Sequence, residues 1–219
     1  MFVERGITTN YDRIRQKCCR NTLCMLVLMI YNKFVDVNVC FTAKCVPLLI
    51  QQNVDGSDFF NRSWAKFKAG FSDKRGNYWL GNDLLSQLTL NGRYKLRFDL
   101  HGIDGTWLWA EYNTFTVKNE TYNYQLQVSG FSSNTGHDAL SYHNGMMFTT
   151  YDRDNDQWTN GTYNNNCAVW KGGGFWHKYC TACDVNTLRG PERNHFRWYN
   201  PNPNAWYLLQ TSRMWLTCH

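Results

Sequence analysis

The chain has 219 residues, of which 43% are hydrophobic and 18% are charged, so it can bury a core and does not have the composition of a disordered protein. Its net charge is +6 and no run of Lys and Arg exceeds two residues, which argues against a nucleic-acid partner. No stretch of about 20 apolar residues is present, so no membrane-spanning helix is predicted.

Residues 1–45 form a basic, cysteine-rich segment without clear periodicity, and we leave this segment unassigned. Its one strongly apolar run covers residues 23–31. Three interpretations of that run stay open: a buried strand or helix, the apolar part of a signal or anchor that begins late, or a start of the sequence that is incomplete.

The first clear elements lie between residues 46 and 71. Residues 46–52 predict a short buried strand, and the Asp55-Gly56 pair predicts a turn after it. Three aromatic residues then recur at the spacing of one helix face: Trp64, Phe67 and Phe71. They predict a helix within residues 61–71, with Gly70 placed to cap its end.

From Tyr94 onward the hydrophobic period changes to two, which is the period of a half-buried strand. Three such segments are predicted, at residues 94–100, 106–117 and 124–129, with a last strand at 205–216. Because no helix separates the first three, we expect antiparallel pairing. Residues 132–204 have little predicted secondary structure, and so long an irregular stretch in a compact domain is usually functional.

Nine cysteines and three N-x-S/T sequons favour an oxidising, extracellular environment. The sequons lie at Asn61, Asn119 and Asn160. The lone C-x-x-C, from Cys180 to Cys183, lacks the strand-to-helix setting of a redox motif, so disulfide use is the better interpretation. An odd cysteine count leaves at least one thiol free or paired with another protein.

The most distinctive stretch runs from Tyr151 to Cys180. Asp152, Asp154 and Asp156 alternate there in a run without apolar periodicity, and carboxylates on an irregular loop suit a hard cation such as Ca²⁺. The loop is not an EF-hand, because its sixth position is not Gly and its twelfth is not Glu. Two interpretations remain: a cation site of another loop type, or a solvated Asp/Asn-rich loop.

Six segments, taken in order and with their spacing, resemble the fibrinogen-like domain of ficolins, tachylectins, angiopoietins, tenascins and fibrinogen. They are residues 64–71 (WAKFKAGF), 78–82 (YWLGN), 138–145 (DALSYHNG), 148–156 (FTTYDRDND), 166–168 (NCA) and 173–180 (GGFWHKYC). The resemblance covers roughly residues 46–216. It implies an α+β domain over residues 46–219, with a central antiparallel sheet and a loop-rich, calcium-binding C-terminal lobe.

The resemblance also implies a set of site residues. The calcium ligands would be the side chains of Asp154 and Asp156 and the carbonyls of Trp158 and Asn160, with Asp152 in a supporting role. A disulfide would join Cys167 to Cys180. The ligand-binding residues would be Trp176, Tyr179, Cys180 and Thr181. Cys183 and Cys218 lie outside the family pattern and are a candidate second disulfide.

The sequence departs from the family pattern close to this site. The eleven positions from Asp156 to Cys167 are more than is usual in the family, and the insertion carries the Asn160 sequon. Lectin members have Tyr where this sequence has Lys171, His where it has Thr181, and a Tyr-Ala pair where it has Glu192-Arg193. These departures predict an altered or lost sugar specificity.

The resemblance implies a secreted, calcium-binding recognition module of lectin type, which binds glycans or acetylated groups on cell-surface glycoproteins in innate immune recognition. The alternative is a receptor- or matrix-binding ligand, like angiopoietins or tenascins, without sugar binding. The substituted pocket favours the alternative, and the calcium motif allows both. A homo-oligomer is compatible with either. No Ser-His-Asp or H-E-x-x-H arrangement appears, so no enzymatic activity is predicted.

Overall fold

The structure is a computed structural model, and it describes residues 26–30, 33–37, 47–90, 94–159, 161–190, 196–201 and 205–218. The protein divides into two compact units, residues 1–46 and 47–219. In the first unit, the described residues form an antiparallel hairpin of β1 (Leu26–Ile30) and β2 (Lys33–Val37). The apolar run at 23–31 therefore contains a strand. Within the described ranges, no helix has the length and apolar character needed to cross a bilayer.

The described part of the second unit is built on a nine-stranded sheet. Its strands are β3 (Leu48–Asn53), β4 (Phe71–Ser72), β5 (Tyr78–Trp79), β6 (Tyr94–Gly102), β7 (Trp107–Val117), β8 (Leu126–Ser133), β9 (Cys183–Asp184), β10 (Arg197–Asn200) and β11 (Ala205–Cys218). The main order is β4-β5-β3-β11-β6-β7-β8, and β10 joins β9 to β11. All pairings are antiparallel, as predicted.

Three short α-helices accompany the sheet in the described residues: α1 (Trp64–Ala69), α2 (Asn82–Thr89) and α3 (Cys167–Lys171). The predicted helix at 61–71 is confirmed in a shorter form. It ends at Gly70, whose φ is +87° and whose missing Cβ would lie 2.5 Å from the carbonyl oxygen of Leu80. Only glycine fits there, because a side chain would suffer both the positive φ and the clash.

The core lies against one face of the sheet, and the period of two predicted for β6 is confirmed. Leu96, Phe98 and Leu100 are completely buried, whereas Lys95 and the polar residues that alternate with them are only partly buried. Burying such side chains removes apolar surface from water at roughly 25 cal/mol per Å², which makes this face of the sheet the main source of stability.

The C-terminal lobe is mostly irregular, as predicted, and it is held against the core by close backbone approach. A Cβ added at Gly173 would lie 1.7 Å from the carbonyl oxygen of Asn186, and one added at Gly174 would lie 2.6 Å from the ring of Phe67. Phe175 and Trp176, which follow directly, are buried. The glycines therefore let the segment that leads to Cys180 pass through the core.

The predicted pairing of Cys183 with Cys218 is wrong. Cys183 is a buried free thiol on β9, opposite Trp198 of β10, which in turn lies opposite Tyr207 of β11. Cys218 lies at the far end of β11, eleven residues beyond Tyr207. Eleven extended residues span roughly 35 Å, whereas the Cα atoms of a disulfide lie within about 7 Å of each other.

Candidate cation and ligand site

The three aspartates lie on a loop that is fixed to the core where it begins. Thr149 pairs with Phe175, and Thr150 pairs with Arg153, in two isolated antiparallel bridges. Asn155, which lies between the second and third aspartates, donates from Nδ2 to the carbonyl of Phe148 at 2.7 Å. The loop is therefore anchored on both sides of Asp154, which favours an ordered site over the alternative of a merely solvated loop.

Asp154 and Asp156 are brought together. Asp154 Oδ1 accepts a hydrogen bond from the Asp156 N–H at 3.1 Å. Asp156 in turn accepts from the N–H of Trp158 with Oδ1 and from the N–H of Cys167 with Oδ2, both at 2.8 Å. The Asp156 carboxylate thus links the aspartate loop to the start of α3.

The charge of the Asp156 carboxylate is destabilised by its surroundings. The pKa of Asp156 is raised to about 6, first by burial and also by the adjacent carboxylate of Asp154, while the N–H donors of Trp158 and Cys167 oppose the shift. A divalent cation between the two carboxylates would remove this penalty. Both are oxygen ligands of the kind that Ca²⁺ takes. The donor set therefore fits a hard cation.

The described residues contain no cluster of three or more His, Cys, Asp and Glu side chains that could hold a metal. Because Ca²⁺ takes six to eight oxygens, carbonyl groups and water would have to supplement the two carboxylates. Trp158 lies two residues after Asp156, on the same loop, where its carbonyl is the predicted third ligand. The predicted fourth ligand, Asn160, lies outside the described residues.

Arg153, between the first two aspartates, has its side-chain partners outside the loop. Its guanidinium lies 4.0 Å from the centre of the Trp64 ring, and Nη2 donates to Oδ1 of Asn123 at 2.6 Å. The carboxylate of Glu120, whose Oε1 lies 3.9 Å from Nη1, is a further partner, so the guanidinium of Arg153 is held by residues from other parts of the sequence.

Asp152 has a structural role that the sequence does not indicate. Its Oδ1 accepts from the backbone N–H of Trp64 at 2.8 Å and from the hydroxyl of Thr150 at 2.7 Å. Trp64 is the first residue of α1, and Ser63 before it makes no side-chain capping bond. Asp152 therefore supplies the acceptor for a free N–H at the start of a helix 88 residues earlier in the sequence.

The predicted disulfide between Cys167 and Cys180 is present, with Cα atoms 5.1 Å apart. Cys180 has φ of +62°, a left-handed conformation that is rare for a residue with a side chain and is found mainly at functional sites. At the other end of the bond, Asn166 caps α3 by accepting from the Val169 N–H, and it donates to the carbonyl of Thr150. The N-C-A motif therefore fixes α3 to the aspartate loop.

The four predicted ligand-binding residues differ in their exposure to solvent. Trp176 cannot line a pocket, and this prediction is wrong: its ring is completely buried, packs 5.2 Å from Phe148, and donates from Nε1 to the Tyr124 carbonyl at 2.7 Å. Its large apolar area is used in the core instead. Tyr179 is 60% exposed, Thr181 is partly exposed, and Cys180 is buried. Of the four, only Tyr179 and Thr181 offer accessible side chains.

His143 holds the segment around Thr181 in place. Its Nδ1 lies 2.7 Å from the carbonyl oxygen of Trp176, and its Nε2 accepts from the Ala182 N–H at 3.1 Å. These partners require the neutral tautomer with the proton on Nδ1. Burial lowers the pKa of His143 to about 3, so the ring stays neutral. Such a contact depends on tertiary structure and is not visible in the sequence.

Lys171 stands where lectin members of the family have Tyr, and it forms a buried ion-pair group. Its Nζ lies 3.6 Å from Oδ2 of Asp184, and Nε of Arg197 lies at the same distance from that oxygen. Burial raises the pKa of Asp184, while the two cations oppose the shift. A buried ion pair therefore occupies the position at which the resemblance implies a tyrosine in lectin members. Glu192-Arg193, the other substitution there, lies outside the described residues.

Of the three sequons, Asn61 and Asn119 have exposed side chains on the surface of the second unit. Asn160 lies outside the described residues.

Known proteins share both the sequence pattern and the fold. The family described as fibrinogen beta and gamma chains, C-terminal globular domain, matches residues 30–218. Human Ficolin-3 is 42% identical over 139 residues, with 64% of this chain and 45% of that protein covered. Human fibrinogen alpha chain is 38% identical over 185 residues, with 78% of this chain and 20% of that protein covered.

Among solved structures, the fibrinogen-like globe domain of human ANGPTL2 has a TM-score of 0.66 and 28% identity, over 92% of this chain and 95% of that domain. The protein spans less than half the length of the two curated relatives named above. The family match begins at residue 30, before the predicted boundary at 46. A match over most of the sequence, together with the shared fold, shows that the protein belongs to the family of fibrinogen C-terminal globular domains.

Proposed function

We propose that the protein is a secreted, calcium-dependent recognition module of lectin type, which binds glycans or acetylated groups at a surface beside the Cys167–Cys180 disulfide. The convergence of Asp154 and Asp156 carries the proposal, because burial and the neighbouring Asp154 carboxylate raise the pKa of Asp156, and a bound cation would offset the cost of keeping Asp156 ionised. The disulfide and the exposed sequons at Asn61 and Asn119 support the extracellular location.

The cation would act on the ligand surface through the backbone. The N–H of Gln157, next to Asp156, donates to the carbonyl of Lys178 at 2.9 Å. Lys178 precedes the exposed Tyr179 and the left-handed Cys180. Bound calcium would therefore hold the aspartate loop, and the loop would hold the segment that presents Tyr179 and Thr181.

The second candidate is a receptor- or matrix-binding ligand without sugar binding. The buried Lys171–Asp184 pair favours it, because at the position that the resemblance assigns to the lectin tyrosine the side chain is tied up in an ion pair and offers no aromatic wall to an acetyl group. The likeness in fold to the globe domain of ANGPTL2 is compatible with either candidate.

Calcium binding is tested by thermal unfolding with added calcium and with EDTA. Calcium that binds only the folded state raises the melting temperature by mass action, so we expect a rise for the wild-type protein and none for the double variant Asp154→Ala/Asp156→Ala. Asp58→Ala, at an exposed aspartate outside the loop, is the control and should respond like wild type. Equal responses in all three proteins would remove the metal assignment.

Ligand binding is tested on resins that carry N-acetylglucosamine or other acetylated groups. The lectin candidate predicts retention in calcium and release in EDTA. If the wild-type protein ignores every acetylated resin but still responds to calcium in thermal unfolding, the receptor- or matrix-binding candidate replaces the lectin candidate.

A further inference from the structure

We propose that Trp158, Tyr163 and Trp170 form a second sugar-contact surface, which binds a pyranose ring of a neutral oligosaccharide whose end occupies the surface at Tyr179 and Thr181. This inference rests on the proposed lectin function and specifies its ligand. We call the three rings the aromatic patch.

The rings of the aromatic patch are close to parallel. Trp158 and Trp170 have centroids 5.0 Å apart and planes 27° apart. Tyr163 lies 6.2 Å from each of them, with planes 23° and 26° from theirs. All three are partly open to solvent, and Tyr163 is 39% exposed. Most aromatic pairs in the core of this protein are instead T-shaped or tilted.

The turn that presents Tyr163 is strained. Tyr163, Asn164 and Asn165 have φ of +48°, +56° and +57°, three consecutive left-handed residues that are not glycine. The left-handed conformation is unfavourable for residues that carry a Cβ, least so for Asn, so the turn is stabilised by its surroundings. The N–H of Gly161 donates to Asn165 Oδ1 at 2.6 Å, and the Asn165 N–H donates to the Thr162 carbonyl at 2.8 Å.

The residues around the aromatic patch, which we call the rim, favour one class of ligand. The described residues of this turn, Thr159 and residues 161–165 (G-T-Y-N-N), carry amides and hydroxyls but no charged side chain. The ammonium of Lys171 lies 4.0 Å from the centre of the Trp170 ring, but this side chain is itself buried and does not belong to the rim. The C–H groups on one face of a pyranose pack against the negative face of an aromatic ring, and amides hydrogen-bond to the surrounding hydroxyls. A protein partner would instead be expected to meet Arg or a larger apolar area. The rim therefore favours a neutral sugar.

The aromatic patch is part of the same backbone as the cation loop. The N–H of Trp158 donates to Asp156 Oδ1, and Trp170 lies on α3, three residues after the disulfide residue Cys167. Trp170 and Tyr179 both lie in the loop that the Cys167–Cys180 disulfide closes, so a sugar on the patch and an end group at Tyr179 would contact the same loop. An oligosaccharide long enough to reach both should bind more tightly than a monosaccharide.

The test is calorimetric titration in calcium with N-acetylglucosamine and with its β-linked tetrasaccharide. We expect the wild-type protein to bind the tetrasaccharide at least about tenfold more tightly, and Tyr163→Ala to lose that gain while its affinity for the monosaccharide is unchanged. Tyr163→Phe, which keeps the ring, should restore binding. Tyr122→Ala removes an exposed tyrosine on another surface and should have no effect. Melting temperatures establish that each variant is folded.

A second measurement does not depend on Tyr163. Tryptophan fluorescence should change on addition of the tetrasaccharide, and Trp170→Phe should reduce that change. If Tyr163→Ala binds both sugars like wild type in a calcium-dependent way, the aromatic patch is refuted and the lectin function stands.

The remaining outcomes are also decisive. Tetrasaccharide binding that needs Tyr163 but not calcium would support the patch and refute the calcium-dependent function. Absence of binding to either sugar would refute the patch, and the lectin function would be refuted as well only if every acetylated resin also fails to retain the protein. Binding that appears only after enzymatic removal of N-glycans, and that Tyr163→Ala then abolishes, would support the patch, because it would show that the protein's own sugar competes for these rings.

Discussion

At the scale of single residues, the site depends on groups whose charge is suppressed by burial. His143 and His177 are completely buried, and burial lowers their pKa values to about 3 and about 4. Each ring faces backbone carbonyls: His143 that of Trp176, and His177 that of Gly173. The two neutral imidazoles therefore hydrogen-bond to backbone groups of neighbouring segments, and protonation of the rings at acid pH should weaken these contacts.

We predict that stability falls as the pH drops from about 6.5 toward 3, and that His143→Gln reduces the fall. The unfolded protein takes up a proton near pH 6.5, whereas the folded His143 does so only near pH 3, so protons favour unfolding in that window. Between pH 7.5 and pH 5 this histidine accounts for about 2 kcal/mol of the loss. Urea unfolding of wild type and variant at the two pH values measures it.

Asp156 has the opposite effect on stability in part of this window. Its raised pKa means that the folded state takes up the proton at a higher pH than the unfolded state, so falling pH stabilises the folded protein there. That contribution is common to both proteins and cancels in the comparison. An equal loss of stability in wild type and His143→Gln would show that His143 is already protonated in the folded state.

At the scale of elements, Asp152 connects the aspartate loop to α1 independently of any cation. We predict that Asp152→Ala lowers the free energy of unfolding by about 1–2 kcal/mol in EDTA, because the N–H of Trp64 loses its acceptor. Asp152→Asn keeps an acceptor oxygen and should lose less than half of that. Chemical unfolding in EDTA is the measurement. If the alanine variant is as stable as wild type there, Asp152 does not cap the helix.

The secondary-structure elements also show which features of the fold could be predicted from the sequence. Strands β6, β7, β8 and β11 and the end of α1 at Gly70 follow from local patterns, because alternation and positive φ are properties of neighbouring residues. The capping of Trp64 by Asp152 could not be predicted, because 88 residues separate them and no local pattern encodes the contact. The prediction for Trp176 fails for a related reason: an aromatic residue in a loop can face a ligand or the core.

The cysteines likewise include one pairing that the sequence could predict and one that it could not. The Cys167–Cys180 disulfide follows from the family resemblance, whereas the Cys183–Cys218 pairing has only leftover residues to support it and fails on distance along β11. The neighbourhood of Asp154 and Asp156 follows from their spacing, because an aspartate readily bonds to the N–H two residues later.

At the scale of the whole molecule, the disulfide closes a loop that includes α3 and the glycine-rich segment. We predict that Cys167→Ser/Cys180→Ser costs about 2–4 kcal/mol of unfolding free energy and removes the thermal response to calcium, because Asp156 bonds to the Cys167 N–H. Cys183→Ala removes a buried thiol that forms no disulfide, so it should cost about 1 kcal/mol and keep the response. A calcium response that survives in the serine variant would separate the cation loop from the disulfide.

The position of β11 in the middle of the sheet has a consequence for synthesis on the ribosome. Before β11 is made, the other strands of this sheet form three groups, β4-β5-β3, β6-β7-β8 and β9-β10, and β11 pairs with β3, β6 and β10 to join them. Until Ala205–Cys218 emerges, each group has an open edge that can pair with another protein. A nascent polypeptide that stalls before this strand should therefore be a substrate for chaperones, and a message truncated there should yield aggregates instead of a smaller folded domain.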